Sequence, residues 1–262
     1  MHTMSVQIES KLRNLLKLWP MHTALPVAWL KTKGFSKSLI QRYVSSGWLE
    51  YLDRGVVVRP GDSIDWSGML WGLQQLCQFH VGGKTALELQ GKAHFIKFQE
   101  NEIYVFSHRG FKFPKWMEKN KQKFEFINTP ANLFLSQVGL KIFDFGEFQL
   151  QISNPARAFC EYMYVAEKFH SYDESYYIME NLHLLSSDLM QEALEECTSV
   201  KIKRLALCLA KIQNVSWYQN LDKSKFELGS GARKEVKNGI YEPEFLITYP
   251  RVWNKAEDES VF

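Results

Sequence analysis

Within its first sixty residues the chain places Ser36, Lys37, Ser38, Gln41 and Arg42 in one short stretch, with Arg54 and Arg59 soon after. These are side chains that read or neutralise nucleic acid. Gln pairs bidentately with adenine and Arg with guanine, while Lys and Ser serve phosphates and base edges. The surrounding charge agrees. Residues 1–60 hold nine Lys/Arg against three acids, a net +6, whereas the other 202 residues carry 23 basic and 26 acidic groups, a net −3. A basic head on a slightly acidic body is the electrostatic footprint of a nucleic-acid reader joined to a second task. The competing reading makes Gln41 and Arg42 an ordinary solvated helix face.

Residues suited to catalysis are present but do not assemble. GGKT at 82–85 echoes a phosphate loop, yet the position five before Gly83 is Gln78 instead of glycine, and a helix is expected ahead of it where a strand is needed. LGSGARK at 228–234 is glycine-rich and basic but sits in a hairpin-like context. His80, His94, His108, His170 and His183 are isolated in the chain, and Asp144 with Glu147 flanks a turn at Gly146. No G-x-S-x-G or H-E-x-x-H spacing occurs. The four cysteines, Cys77, Cys160, Cys197 and Cys208, are far apart, with no C-x-x-C pair, which points to buried thiols of a reducing compartment. The expectation is therefore a non-enzymatic protein without cofactor or metal. No signal peptide is read at the start, and no run reaches the roughly 20 apolar residues of a membrane span. A cytoplasmic location, with no membrane partner, is expected.

The elements needed to hold the basic residues can be read in order. Residues 5–18 carry apolar side chains at helical spacing and stop at Trp19-Pro20. Thr23 is a candidate cap for a short helix over 24–32, with Pro26 in its first turn, and Gly34 breaks it. Ser36 caps a third helix that ends at Gly47. Two strand-like pieces, 48–52 and 56–60, flank Asp53-Arg54-Gly55 and form a hairpin with a basic tip. Helix, short helix, capped helix and basic hairpin is the order of a winged helix-turn-helix, whose third helix enters the major groove. That expectation gives a DNA-binding domain over 1–61, with Arg54 at the wing tip and Arg59 at its base.

Past Pro60-Gly61 the texture changes. A helix is expected over 66–80 and another over 85–91, followed by strands at 93–98, 102–107, 123–128, 140–145 and 147–153. Asn154-Pro155 then starts a helical half, with segments over 155–168, 174–185, 187–197 and 200–212, the last apolar inside and basic outside. A β-like tail closes the chain at 225–250. The fold class is thus α+β: an N-terminal winged helix-turn-helix, then over 62–262 a mixed, largely antiparallel sheet with a helical C-terminal part. Tyr162, Tyr164, Phe169, Tyr172, Tyr176 and Tyr177, with Lys201, Lys203, Arg204, Arg233, Lys234 and Lys237, form either a contact surface or core tyrosines with solvated basic rims.

Several segments, taken together and in order, resemble the AbiEi antitoxins, transcriptional regulators of type IV toxin–antitoxin and abortive-infection systems. They are GVVVRPG at 55–61, GGKTALELQG at 82–91, NPARAFCEYMY at 154–164 and LGSGARKEVKNGIYEPEFLITYP at 228–250. The resemblance implies an N-terminal domain that binds inverted repeats of double-stranded DNA in its own promoter. It also implies a C-terminal domain that opposes a nucleotidyltransferase toxin, with or without direct contact. The runner-up from the residues is a ligand-responsive regulator, or a nucleic-acid-processing enzyme targeted by its winged helix.

Overall fold

The computed structural model describes residues 11–93, 102–118, 124–130, 132–169, 172–233, 236 and 238–254. The beginning of the helix expected from residue 5, most of the strand expected at 93–98, and His94, His170, Lys234 and Lys237 lie outside these residues. The chain divides into two compact units, the first drawn from 1–79, 112–125 and 142–150, the second from 80–111, 126–141 and 151–262. The architecture is α+β, with helices beside both mixed and antiparallel strand pairing.

The first unit opens with a helix over 11–18 (α1) that stops ahead of Pro20. Thr23 does not cap the next helix. Its hydroxyl donates to the Pro20 carbonyl (2.8 Å), because Leu25–Pro26 forms a short strand, β1. Proline, lacking an N–H, suits such an edge strand, and it leads directly into helix α2, Val27–Thr32. Helix α3, Lys37–Ser45, begins as expected with Ser36, whose Oγ accepts from the Leu39 N–H at 3.2 Å. Strands β2, Glu50–Asp53, and β3, Val56–Val58, pair antiparallel, and β1 pairs antiparallel on the other side of β3. The turn between β2 and β3 needs Gly55, whose φ is +86°. Leu12, Leu15, Trp19, Leu25, Leu30, Ile40, Tyr43 and Val57 build the core beneath.

This unit does not stop at residue 61. Asp65 caps helix α4, Trp66–Gln74, through Gly68 N–H (2.9 Å). Gly68 and Gly72 of α4 lie against the backbone of residues 22–24, so closely that a Cβ on either would meet the carbonyl of His22 or Ala24. Trp66 and Trp71 of the same helix meet Phe145 and Phe148 edge-on or tilted, at 5.8 and 6.2 Å between ring centres.

Next along the chain β4, Phe79–Val81, leads into helix α5, Gly83–Leu89, so a strand and not a helix precedes the glycine pair at 82–83. Strands β5, Glu102–Ser107, β6, Glu125–Pro130, β7, Leu140–Asp144, and β8, Gln149–Ser153, complete a five-stranded sheet ordered β6-β5-β4-β8-β7. Its β4–β8 pair is parallel, with Val81 opposite Ile152. A short helix, α6 (Lys115–Glu118), precedes β6. Helices α7, Pro155–Phe169, α8, Asp173–Asn181, α9, Ser187–Glu196, and α10, Val200–Ile212, follow, then the antiparallel pair β9, Ile240–Glu242, and β10, Ile247–Tyr249. Asn154 caps α7 by accepting from Arg157 N–H at 2.9 Å. Helix α10 is basic outside only at its ends, at Lys201 and Lys211: everything from Ile202 to Ala210 is buried, Lys203 and Arg204 included. The Arg204 guanidinium donates to the carbonyls of Leu228 (2.8 Å), Gly231 (2.8 Å) and Leu246 (3.0 Å), which fixes the glycine-rich segment around a buried cation.

Candidate nucleic-acid interface

Helix α3 buries Ile40 and Tyr43 and turns Lys37, Ser38, Gln41 and Arg42 to solvent. The split follows from helical spacing: apolar residues three apart anchor one face, and positions 38, 41 and 42 line the opposite one. Ser36 is exposed, but its hydroxyl is committed to the cap and to Ser38 Oγ, 3.0 Å away. The two wing strands then bring Arg54 to an exposed turn, where its N–H donates to Asp53 Oδ1 at 2.7 Å and its side chain remains outside. A side-chain bond joins wing and helix: the Tyr51 hydroxyl of β2 donates to Gln41 Oε1 at 3.2 Å. In the sequence Tyr51 reads as one more aromatic strand residue. Its place opposite Gln41 depends on the folded hairpin.

Arg59 is placed differently from the others. Its Nη2 donates to the carbonyl of Leu16 at 2.9 Å and also to that of Trp19, and the guanidinium lies 5.7 Å from the centre of the Trp19 ring. A cation there satisfies carbonyls left open at the C-terminal end of α1. The arrangement thus brings Lys37, Ser38, Gln41, Arg42 and Arg54 to solvent, while Arg59 holds α1 to the base of the wing. This architecture fits a winged helix.

The motifs considered for catalysis meet in the second unit, where they build a closed polar core. Glu161 on α7 accepts four hydrogen bonds: from His80 Nε2 (2.7 Å) and Arg157 Nε (2.9 Å) at Oε1, and from Ser153 Oγ (2.7 Å) and Gly83 N–H (3.1 Å) at Oε2. His80, isolated in the chain, is therefore partnered across 81 positions. Arg157 Nη1 further donates to the carbonyls of Val138 (2.6 Å) and Ser136 (3.2 Å). Burial raises the Glu161 pKa, but His80, Arg157 and the Ser153 bond outweigh it and hold the carboxyl below its ordinary value. Both carboxylate oxygens are occupied and the group is 1% exposed, so it has no open face for substrate. The same carboxylate fills the anion position at the start of α5 that a phosphate takes in a phosphate loop. GGKT is thus a packing motif that receives a side chain of NPARAFCEYMY. Among the described residues no group of three or more His, Cys, Asp or Glu is placed to hold a metal ion, and no helix is long and apolar enough to cross a membrane.

Two family models match the chain. Residues 8–98 match the N-terminal domain of the AbiEi antitoxin transcriptional regulators, and residues 100–250 match the AbiEi antitoxin transcriptional regulator of type IV toxin–antitoxin systems. No protein of curated function matches the sequence. Among solved structures, the crystal structure of the RV2827C protein from Mycobacterium tuberculosis is similar over 97% of this chain and 94% of that one, with 13% identity and a TM-score of 0.57. At that identity the likeness is one of fold.

Proposed function

This chain belongs to the AbiEi antitoxin family of type IV toxin–antitoxin transcriptional regulators, and we propose that it represses its own promoter by setting α3 into the major groove at inverted repeats. The observation that carries this reading is the exposed Lys37, Ser38, Gln41 and Arg42 face beside a basic wing tip at Arg54. Gln41 and Arg42 reach base edges, whereas Lys37, Ser38 and Arg54 engage phosphates. As an antitoxin it opposes a nucleotidyltransferase toxin encoded beside it. A nucleotidyltransferase reading frame next to its gene, and restored growth on co-expression, are the supports to seek. The second unit acts as a non-catalytic scaffold, its buried Glu161 being saturated by protein donors.

The test is binding of the full-length protein to the DNA upstream of its gene, measured against salt concentration and against a scrambled duplex. Binding weakens with salt in proportion to the phosphates neutralised. Replacing Gln41 and Arg42 together by alanine is expected to lower discrimination by about tenfold or more, the worth of a bidentate base contact. If that double variant distinguishes the two duplexes as well as the parent does, α3 is not the reading helix. A second reading, regulation by a small ligand, draws on a cavity of about 310 Å³ in the first unit, lined by Glu50, Tyr51, Asp62, Met69 and Phe124 among others. Release of promoter DNA by a small cation, abolished in Asp62→Asn, would favour it.

A further inference from the structure

We infer that Tyr51 is a positioning residue for base recognition: it holds the Gln41 carboxamide with its oxygen toward the wing and its NH2 group outward, so that Gln41 favours guanine or thymine over adenine, whose N6 donor then faces a second donor. The inference rests on the proposal that α3 reads the major groove. Its basis is the hydrogen bond from the Tyr51 hydroxyl on β2 to Gln41 Oε1 on α3, 3.2 Å long, between two exposed side chains.

A glutamine reads adenine with both ends of its amide, the oxygen accepting from N6–H and the nitrogen donating to N7. The Tyr51 hydroxyl donates to that oxygen, so it competes for the first contact and leaves the NH2 group facing away from the wing. The outward NH2 offers only donors, and these match guanine O6 and N7 or thymine O4. Tyr51 can hold this position because its strand is fixed by the register Tyr51 opposite Val57, and Val57 is fully buried. Gln41 is fixed in turn by the buried neighbours Ile40 and Tyr43 on α3. The bond therefore spans two anchored backbones and costs little further ordering on DNA binding. Tyr51 itself is 42% exposed, so loss of its hydroxyl leaves the core untouched.

The experiment selects from a library of random-sequence DNA duplexes with the full-length parent and with Tyr51→Phe, Gln41→Ala and the double variant. Gln41→Ala locates the base pair that Gln41 reads, as the position where preference is lost. At that pair the parent is expected to favour guanine or thymine facing the amide. Tyr51→Phe is expected to raise adenine there about fivefold to tenfold, roughly the effect of one hydrogen bond, with other positions and the salt dependence unchanged. In the Gln41→Ala background Tyr51→Phe should change nothing. A parent that already selects adenine at that pair, a Tyr51→Phe profile identical to the parent's, or an equal effect of Tyr51→Phe without Gln41 each overturns the inference while leaving α3 as the reading helix. A Gln41→Ala profile identical to the parent's overturns Gln41 as a reader, and the inference with it.

Discussion

Arg54 and Arg59 lie five positions apart, carry the same charge, and have opposite tasks. Arg54 projects from the wing turn with its guanidinium outside, whereas Arg59 directs its Nη2 to the carbonyls of Leu16 and Trp19. Arg54→Ala is expected to leave the melting temperature unchanged and to lower the salt dependence of DNA binding by about one phosphate. Arg59→Ala uncovers helix-end carbonyls and one face of Trp19, and should destabilise the first unit by about 1–3 kcal/mol. Thermal unfolding and a salt titration of both variants separate the roles; equal salt slopes for the two would refute the assignment. Glu161 shows the same logic in the second unit. Its carboxyl is held below the ordinary value, so its stabilisation is fully present above about pH 4.3 and is lost as pH falls through the folded value. Glu161→Gln should cost about 3–5 kcal/mol near neutrality, since it leaves Arg157 and His80 facing an amide. The variant's stability should also fall less than the parent's between pH 5 and pH 3, on the order of one carboxylate's linkage. Unfolding midpoints across that range decide it.

At the scale of elements, the contact between α4 and residues 22–24 is made possible by two glycines one helical turn apart. A Cβ at Gly72 would fall on the Ala24 carbonyl, and backbone there cannot swing aside as a flexible side chain would. Gly72→Ala is therefore expected to destabilise by about 1–3 kcal/mol despite alanine's better helix propensity. Denaturant unfolding checks it, and a stabilised variant would show that the helix shifts freely. Much of the element order was legible beforehand because it rests on local signals. Ser36 as a cap, Gly55 in the wing turn, Asn154-Pro155 at the start of α7 and the run 200–212 all carry their physical reason within a few residues. The failures share a cause, which is partnering at long range. Leu25-Pro26 reads as the start of a helix until β3 arrives to pair with it, and 79–80 reads as the end of a helix although it belongs to β4, which pairs with β8. His80 reads as isolated, and Arg204 as solvated, because Glu161 and the carbonyls of 228–246 lie far along the chain. The exposed face of α3 was legible residue by residue, but the link from Tyr51 to Gln41 and the inward turn of Arg59 were not.

For the whole molecule, the question is whether DNA binding and toxin neutralisation can be separated. The basic head is a feature of 1–60, but the compact unit around it also draws on 62–79, 112–125 and 142–150. A cut after residue 61 removes the backbone that Gly68 and Gly72 of α4 pack against, a helix whose Met69, Leu70 and Leu73 are also buried. A fragment of residues 62–262 is expected to accumulate poorly and to unfold at lower temperature than the full chain, because newly exposed apolar surface promotes association. Its failure to rescue growth would then say nothing about where the antitoxin activity resides. Point substitution on the exposed face of α3 avoids the difficulty, because Gln41 and Arg42 contribute nothing to the core. The full-length Gln41→Ala, Arg42→Ala variant is expected to match the parent in melting temperature within about 1 °C, surface changes of this kind being nearly neutral. It should derepress a reporter driven by its own promoter, yet protect cells from a co-expressed nucleotidyltransferase toxin as well as the parent does. Loss of protection together with loss of repression, at unchanged protein level, would mean that neutralisation works through promoter control, and the second unit would then have no antitoxin activity of its own.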